Sequence, residues 1–144
     1  MLSKLAVRRL TKLADYMDSL PPSARDHFDM GAWFTHSGNH PLSVKTPAKE
    51  HFLDCGSTAC ALGWASTMPY FRRLGLGLVY EESDDEGYEG AGELFFDGHR
   101  VQWDGMDWLG LTQVQAEHLF AHNVPVNTPK QWAKLCRKFL RDNA

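Results

Sequence analysis

A stretch of small residues that ends in a tryptophan decides the fold: Cys55-Gly56-Ser57-Thr58-Ala59-Cys60-Ala61-Leu62-Gly63-Trp64. Small side chains let a neighbouring element come close to the backbone, and glycine allows the closest approach. Ser57 or Thr58 can cap a helix by accepting hydrogen bonds from its first backbone N–H groups. The segment therefore predicts a central, buried helix against which aromatic side chains pack.

An amphipathic helix precedes this segment. Apolar residues recur at three- and four-residue steps from Leu2 to Leu20, which is typical of one buried helix face. Pro21-Pro22 ends this helix, because the residue before a proline disfavours the α region. Beyond the segment, Pro69 fits the first turn of another short helix, where its missing N–H does no harm. Helices are thus predicted on both sides of the segment.

Two capped helices follow at the C-terminal end. Thr112 with Gln115 matches a capping box, in which two side chains satisfy each other's backbone N–H groups. Thr128 with Gln131 matches a second capping box, and Pro129 stands at its first helical position. These patterns predict helices that begin directly after Thr112 and Thr128.

A small amount of β-structure is expected between these helices. Residues 76–80 have the composition of a strand, and Asp97-Gly98 supplies the positive φ angles of a type I′ turn. Residues 94–96 and 99–103 then form a hairpin, and a helix over residues 91–97 is the open alternative. The whole chain therefore predicts one α+β domain, predominantly helical, with a small β-hairpin or short antiparallel sheet.

Length and charge limit the classes of function that the chain can have. A chain of 144 residues is typical of one domain with its own core. The net charge of −3 indicates no general affinity for nucleic acid, but the charges are unevenly distributed. Residues 81–107 contain ten acidic residues and one basic residue, Arg100, whereas the first and last helices are rich in lysine and arginine. Residues 83–92 are therefore predicted to form an acidic loop on the surface.

The cysteines and the hydropathy indicate the compartment. The three cysteines are an odd number and do not match a secreted disulfide framework. No apolar run is long enough to cross a membrane, and the first residues lack the apolar core of a signal peptide. We expect a protein of the host cell cytosol, with reduced thiols and no membrane partner.

Several parts of the chain together resemble a set of small, uncharacterised bacterial and phage proteins that carry a Cys-Gly-Thr-x-x-Cys-x-x-Gly-type motif. The most specific part is the Cys55 segment, in which Ser57 stands where that set usually has threonine. The other matching parts are helix and cap patterns: Leu13-Ala14-Asp15-Tyr16 to Phe28-Asp29-Met30-Gly31, Leu109-Gly110-Leu111-Thr112 to Leu119-Phe120, and Thr128-Pro129. The resemblance implies a phage or mobile-element origin and no particular activity.

Cys55 has the position of a nucleophile in one interpretation. If a helix begins just after it, the positive end of the helix dipole favours the thiolate, and His99 could act as the base. Asp54-Cys55-Gly56-Ser57 also resembles, over these few residues, the cysteine-bearing helix start of papain-like peptidases. We prefer the alternative that Cys55 and Cys60 are small buried hydrophobic residues, because no oxyanion-hole donor is recognisable.

Two groups of residues have spacings that a metal ion can use, but solvated loops explain both. One group could bind zinc, although it contains no Cys-x-x-Cys pair: His36, His40, His51, Cys55 and Cys60. The other nearly matches a calcium-binding loop, although it begins with glutamate in place of aspartate: Glu82, Asp84, Glu86, Gly87 and Glu93. We therefore expect no metal and no cofactor.

The acidic segment and the tryptophans after it form the predicted partner-binding surface. A row of carboxylates can imitate a phosphate backbone and occupy a basic groove on a partner. Tryptophan is a favoured interface anchor, although core packing is the alternative for at least one tryptophan here. The predicted contact residues are Glu82, Asp84, Asp85, Glu86, Glu89, Trp103 and Trp108.

These observations together lead us to expect a non-catalytic accessory protein of a phage or mobile element. It would bind and inhibit a host protein, such as a nucleic-acid-handling defence complex, in the manner of an anti-CRISPR or other anti-defence protein. Direct binding to nucleic acid is not expected. Two alternatives stay open: a cysteine-dependent hydrolase that uses Cys55 and His99, and a sponge that sequesters a small nucleotide signal with Arg72, Arg73 and nearby aromatic residues.

Overall fold

The computed structural model describes residues 2–38, 42, 44–82 and 88–144, with the side chains of residues 82, 88 and 89 outside that description. The α-helices are α1 (Lys4–Ser19), α2 (Lys49–Phe52), α3 (Ala61–Ala65), α4 (Pro69–Leu74), α5 (Gln113–Phe120) and α6 (Pro129–Asp142), and 3-10 helices span Pro22–His27 and Asp107–Leu109. The strands are β1 (Phe34–Gly38), β2 (Ser57–Thr58), β3 (Leu76–Glu82), β4 (Tyr88–Phe96) and β5 (His99–Arg100). The fold is α+β, as predicted. Among the described helices, none combines the length and the apolar character that a membrane crossing requires.

The strands form one antiparallel sheet in the order β2-β1-β4-β3, and β5 pairs with the far end of β4. Phe34 of β1 lies opposite Gly92 of β4, and Leu78 of β3 lies opposite Leu94 of β4. Burial alternates along β3: Leu76, Leu78 and Tyr80 are buried, whereas Val79 and Glu81 are exposed. The sheet therefore packs one face on the core and leaves the other, its outer face, to solvent.

The strand and hairpin predictions are confirmed in part: the second strand of the hairpin ends at Arg100, short of the predicted residue 103. The strand over residues 76–80 is β3, which continues to Glu82. Asp97 and Gly98 both have positive φ angles, 51° and 81°, as the type I′ turn of the β4–β5 hairpin requires. The helix considered for residues 91–97 is wrong, and residues 88–92, expected in a loop, belong to β4. They are extended because β1, far earlier in the chain, supplies their hydrogen-bond partners.

Helix α1 follows the predicted pattern. Ser3 caps it by accepting a hydrogen bond from the Ala6 N–H at 3.1 Å. Leu20 leaves the helical conformation directly before Pro21. The apolar positions of the pattern are all buried: Leu2, Ala6, Leu10, Leu13, Met17 and Leu20.

The C-terminal helices also begin at the predicted caps. Thr112 and Gln115 form the predicted capping box at the start of α5. Thr128 accepts from the Gln131 N–H at 3.1 Å, so the start of α6 is confirmed. The second half of that capping box is wrong, because the Gln131 side chain accepts from the Asn127 N–H at 2.7 Å in place of the Thr128 N–H.

Helices α1 and α6 pack antiparallel, and contacts hold them at the middle and at both ends. The Leu2 N–H donates to the Asn143 carbonyl at 3.1 Å, and the Cys136 thiol donates to the Leu10 carbonyl at 3.7 Å. The Asp18 carboxylate forms ion pairs with Lys130 and Arg137, each at 3.2 Å. These hydrogen bonds hold the pKa of Asp18 below its usual value, so part of the basic character of α6 is matched within the chain.

A connected set of aromatic rings joins the inner face of the sheet to the helices. Phe34 of β1 has ring-centroid distances of 4.7 Å to Phe52 of α2 and 5.6 Å to Tyr80 of β3. Phe52 in turn lies 5.0 Å from Trp64 of α3. Contacts of this kind add about 0.5–1.5 kcal/mol beyond the area that they bury, and they fix α2 and α3 against β1.

Gly63 allows α3 to approach the backbone that leads into β1. A Cβ atom at this position would lie 1.7 Å from the Trp33 carbonyl oxygen, far inside van der Waals contact. The Cys60 N–H also donates to the Ala32 carbonyl at 2.9 Å. Two backbone segments therefore touch directly at residues 32–33 and 60–63, and only glycine fits the point of closest approach.

We predict that Gly63→Ala lowers the free energy of unfolding by about 3 kcal/mol, because the added methyl group must displace backbone. Urea-induced unfolding followed by circular dichroism measures this change. Gly77→Ala is the matched control, because nothing lies within 4 Å of a Cβ at Gly77. Its effect should stay within about 0.5 kcal/mol, and an equal loss in both variants would contradict the role of the close approach.

Candidate functional site

The motif segment folds as a turn, a short strand and then a helix. Cys55 and Gly56 lie in the turn, and the Gly56 carbonyl accepts from the Ser37 N–H at 2.9 Å. Ser57 and Thr58 form β2, which pairs with β1. The prediction that Ser57 or Thr58 caps the helix is wrong, because both residues are part of the sheet and α3 begins only at Ala61.

Cys60 is the residue that caps α3. Its Sγ accepts from the Gly63 N–H at 3.5 Å, and the side chain is buried. Burial raises the pKa of the Cys60 thiol to about 11, so the thiol stays protonated near neutral pH. Trp64, also fully buried, donates from Nε1 to the His27 carbonyl at 3.1 Å. Cys60, Gly63 and Trp64 thus make contacts within the protein interior.

Ser57 connects two histidines inside the protein. Its hydroxyl lies 2.9 Å from His36 Nδ1, and its carbonyl accepts from His27 Nδ1 at 2.7 Å. The distance from Ser57 Oγ to His36 matches that of a nucleophile and its base. Ser57 is 0% exposed and His36 is 1% exposed, so a substrate cannot reach the hydroxyl. This pair therefore acts as a polar contact between β1 and β2.

Cys55 is exposed, which contradicts the expectation that it is buried. It also precedes a strand and not a helix, so the argument that a helix dipole activates it does not apply. The turn next to it is bound to Ser37, which pairs with Glu89 at one end of β4, whereas His99 pairs with Phe96 at the other end. At about 3.3 Å per residue, these two positions on β4 are roughly 23 Å apart. The structure does not bring Cys55 and His99 together.

The residues proposed for zinc each have another role or place. His51 Nδ1 accepts from the Ala48 N–H at 3.0 Å at the start of α2. His36 contacts Ser57, Cys60 caps α3, and His40 lies outside the described residues. Within the described part of the chain, no group of three His, Cys, Asp or Glu side chains is placed to hold a metal ion.

The predicted acidic surface is described only in part. Asp84, Asp85, Glu86 and Gly87, and with them most of the calcium-loop interpretation, lie outside the described residues. Glu82 ends β3 and Glu89 lies in β4, each with its backbone alone described. The acidic side chains that are described in this segment are all exposed: Glu81, Glu93, Asp97, Asp104 and Asp107. Arg100 is the basic partner of one of them, with its Nε 3.8 Å from Glu93.

Trp108 packs mainly against other side chains of the protein. Its ring stacks on Phe96 with a centroid distance of 4.7 Å and meets Phe71 edge-on at 6.1 Å. Its carbonyl accepts a hydrogen bond from Arg9 of α1. Of the two tryptophans predicted as anchors, Trp108 therefore takes the alternative role of joining the hairpin to α1 and α4.

Trp103 lines an open groove together with Trp33. Their ring centroids lie 5.5 Å apart at an interplanar angle of 43°. Trp33 directly precedes Phe34, which pairs with Gly92 of β4, and Glu93, the residue after Gly92, lines the same part of the groove. This part of the groove has a volume of about 350 Å³ and is also lined by His122.

The groove continues along α5. Trp103 and His122 also line a second part of about 700 Å³, which reaches Val114, Glu117 and His118. Val114 is 77% exposed, so this part offers an apolar wall to solvent. Neither part has lysine or arginine among its described lining residues.

Sequence reasoning singled out Trp103 but missed its neighbours in the groove. Trp33 and Glu93 are 60 positions apart and meet only because β1 pairs with β4. Strand alternation in residues 33–37, combined with the correct partner strand, would have placed them opposite each other. The nucleotide-sponge alternative also loses a residue, because the Arg72 guanidinium donates to the carbonyls of Ser66 at 2.7 Å and Pro47 at 3.0 Å.

Comparison with protein-family models, with curated proteins and with solved structures finds no match to this chain. The site is therefore interpreted from its own geometry.

We predict that iodoacetamide modifies Cys55 alone in the folded protein near neutral pH. Cys55 is exposed, whereas burial raises the pKa of Cys60 to about 11 and that of Cys136 to about 12. Because the thiolate is the reactive form, intact-mass spectrometry should show one adduct on the native protein and three after denaturation. Rapid modification of Cys60 in the native state would contradict this arrangement.

We predict that Ser57→Ala lowers the free energy of unfolding by about 1–3 kcal/mol, because buried His36 loses a hydrogen-bond partner. Thermal and urea unfolding measure the loss. Ser37→Ala removes an exposed hydroxyl from the same strand pair and should change stability by less than about 0.5 kcal/mol. A neutral result for Ser57→Ala would show that its contact with His36 adds nothing to stability.

Proposed function

We propose that this protein is a non-catalytic accessory protein of a phage or mobile element that binds and inhibits a host protein. The proposed target is a nucleic-acid-handling defence complex in the host cytosol. The observation that supports the proposal most is the acidic character of the outer face of the sheet. The resemblance of the Cys55 segment to small bacterial and phage proteins supplies the biological setting.

The outer face carries its carboxylates on a rigid support. Glu81 of β3 pairs with Ala91, and Glu93 of β4 pairs with Val79, so the two glutamates occupy diagonal positions on neighbouring strands. Diagonal neighbours on an antiparallel sheet are about 7–8 Å apart. Both side chains are exposed, and the chain between β3 and β4 adds Asp84, Asp85 and Glu86 to the same segment.

Fixed carboxylates suit a partner that normally binds nucleic acid. The basic groove of such a partner is arranged for a phosphate backbone, and a row of carboxylates presents a similar charge. Charge complementarity of this kind speeds association and selects among partners. The sheet fixes the backbone positions of these carboxylates, so little backbone freedom has to be lost on binding.

The basic helices are less suited to be the contact surface. Asp15 and Asp18 of α1 form ion pairs with Arg137 and Lys130 of α6. Within α6, Lys138 forms an ion pair with Asp142 at 2.7 Å. These pairs use cations of α6 for contacts within the chain. The proposal therefore assigns recognition to the acidic sheet and a structural role to the α1–α6 pair.

The proposal is tested by expression in bacteria that carry one defined defence system, such as CRISPR or restriction. The protein should restore plating of a phage that the system targets. The double variant Glu81→Gln with Glu93→Gln should bind the target about tenfold more weakly, because close interfacial charge pairs couple by about 1.5 kcal/mol or more. Plating should fall accordingly, at equal protein levels.

The matched control is the double variant Asp26→Asn with Glu50→Gln, which removes the same charge from exposed positions elsewhere. It should restore plating like the unmodified protein. If both double variants behave like the unmodified protein, the acidic face has no part in inhibition. If no defence system in a broad panel is inhibited, the proposed function is wrong.

A further inference from the structure

We propose that the groove around Trp33 and Trp103 binds a basic peptide segment of the partner, with a lysine or arginine side chain in the corner that the two indole rings form. This inference rests on the proposed function and names the chemistry of the partner at one site. Defined by its lining residues, this groove consists of a ring part at Trp33, Trp103 and Glu93 and an apolar part at Val114 and Glu117.

The ring part has the composition of a site for a cation. Tryptophan has the strongest attraction among the aromatic rings for an ammonium or guanidinium group over its face. The two indoles lie 5.5 Å apart and tilted by 43°, so they form two walls of one corner. Glu93 of β4 lines the same part of the groove and adds an exposed carboxylate to it. Arg100, 3.8 Å from Glu93, is exposed and can be displaced by a better-placed cation.

The apolar part indicates a peptide and not a free small cation. It shares Trp103 and His122 with the ring part and extends away from it along α5. Its wall includes Val114, the most exposed of the large hydrophobic side chains in the described residues. Half-buried Leu135 lines the same part. An apolar residue next to the cation in an extended chain would fill this part of the groove.

Charge favours the same occupant. Glu93 and Glu117 are the carboxylates of the groove, and its described lining has no lysine or arginine. Glu93 and Trp103 of the groove also belong to the segment of residues 81–107, which contains ten acidic residues. A basic segment is therefore attracted over a distance and then held by contact with the rings. An acidic or neutral segment has no corresponding attraction.

The experiment is a two-dimensional ¹⁵N–¹H titration that follows the indole N–H signals of the tryptophans. The probes are short peptides with one arginine or lysine followed by leucine, and the same peptides with norleucine in place of the basic residue. The basic peptides should shift the signals of Trp33 and Trp103, whereas Trp64 and Trp132, both 0% exposed, serve as internal references. Equal shifts with the norleucine peptide would overturn the proposal.

Variants separate the ring contact from general attraction. Trp103→Leu should weaken binding of the basic peptides about tenfold, and Trp103→Phe should restore much of it, because it keeps a ring for the cation. Glu93→Gln, at an exposed position, should weaken binding severalfold without affecting folding. Glu50→Gln, with the same charge change on α2, should have no effect, and an equal loss in that variant would overturn the proposal.

The two proposals can fail separately. If Trp103→Leu loses peptide binding but no defence system is inhibited, the groove stands and the proposed function is wrong. If the Trp103→Leu variant inhibits a defence system fully while the Glu81→Gln with Glu93→Gln variant does not, the proposed function stands and the groove is not part of the interface.

Discussion

The structure depends on a direct contact between two stretches of backbone, the start of β1 and the first turn of α3. The Trp33 carbonyl lies where a side chain at position 63 would begin, and the Cys60 N–H closes the contact through Ala32. This contact sets the distance between the sheet and α3. The Phe34–Phe52–Trp64 ring set then packs at that distance, and the position of Trp33 defines one wall of the surface groove.

The Cys55 segment therefore works mainly as a structural element, with its polar groups satisfied inside the chain. Ser57 joins β1 and β2 through His36, Cys60 caps a helix, and Trp64 binds the His27 carbonyl. Cys55 is the exposed member of the segment. The proposed recognition surfaces lie outside the segment, on the solvent face of the sheet and along α5, where carboxylates and tryptophans are exposed or half-buried.

Features that depend on neighbours in sequence were predictable, and features that depend on strand pairing were not. The face of α1, the caps at Thr112 and Thr128, and the Asp97-Gly98 turn follow from local rules. Residues 88–92 resemble a loop because glycines and acidic residues suit one, and pairing with β1 and β3 makes them a strand. The predicted cap of α3 was two or three residues too early in the chain. Ser57 and Thr58 are residue types that cap helices well, but their backbone pairs with β1 in the sheet.

The pairing of α1 with α6 also has a consequence for synthesis. Leu10 and Cys136 are in contact although they are 126 positions apart. Helix α6, which covers the apolar face of α1, therefore leaves the ribosome long after α1 itself. Until then a formed α1 presents its apolar stripe to chaperones and to other nascent chains. The core can close only when translation has passed α6, so any chaperone dependence of this protein should originate in its first helix.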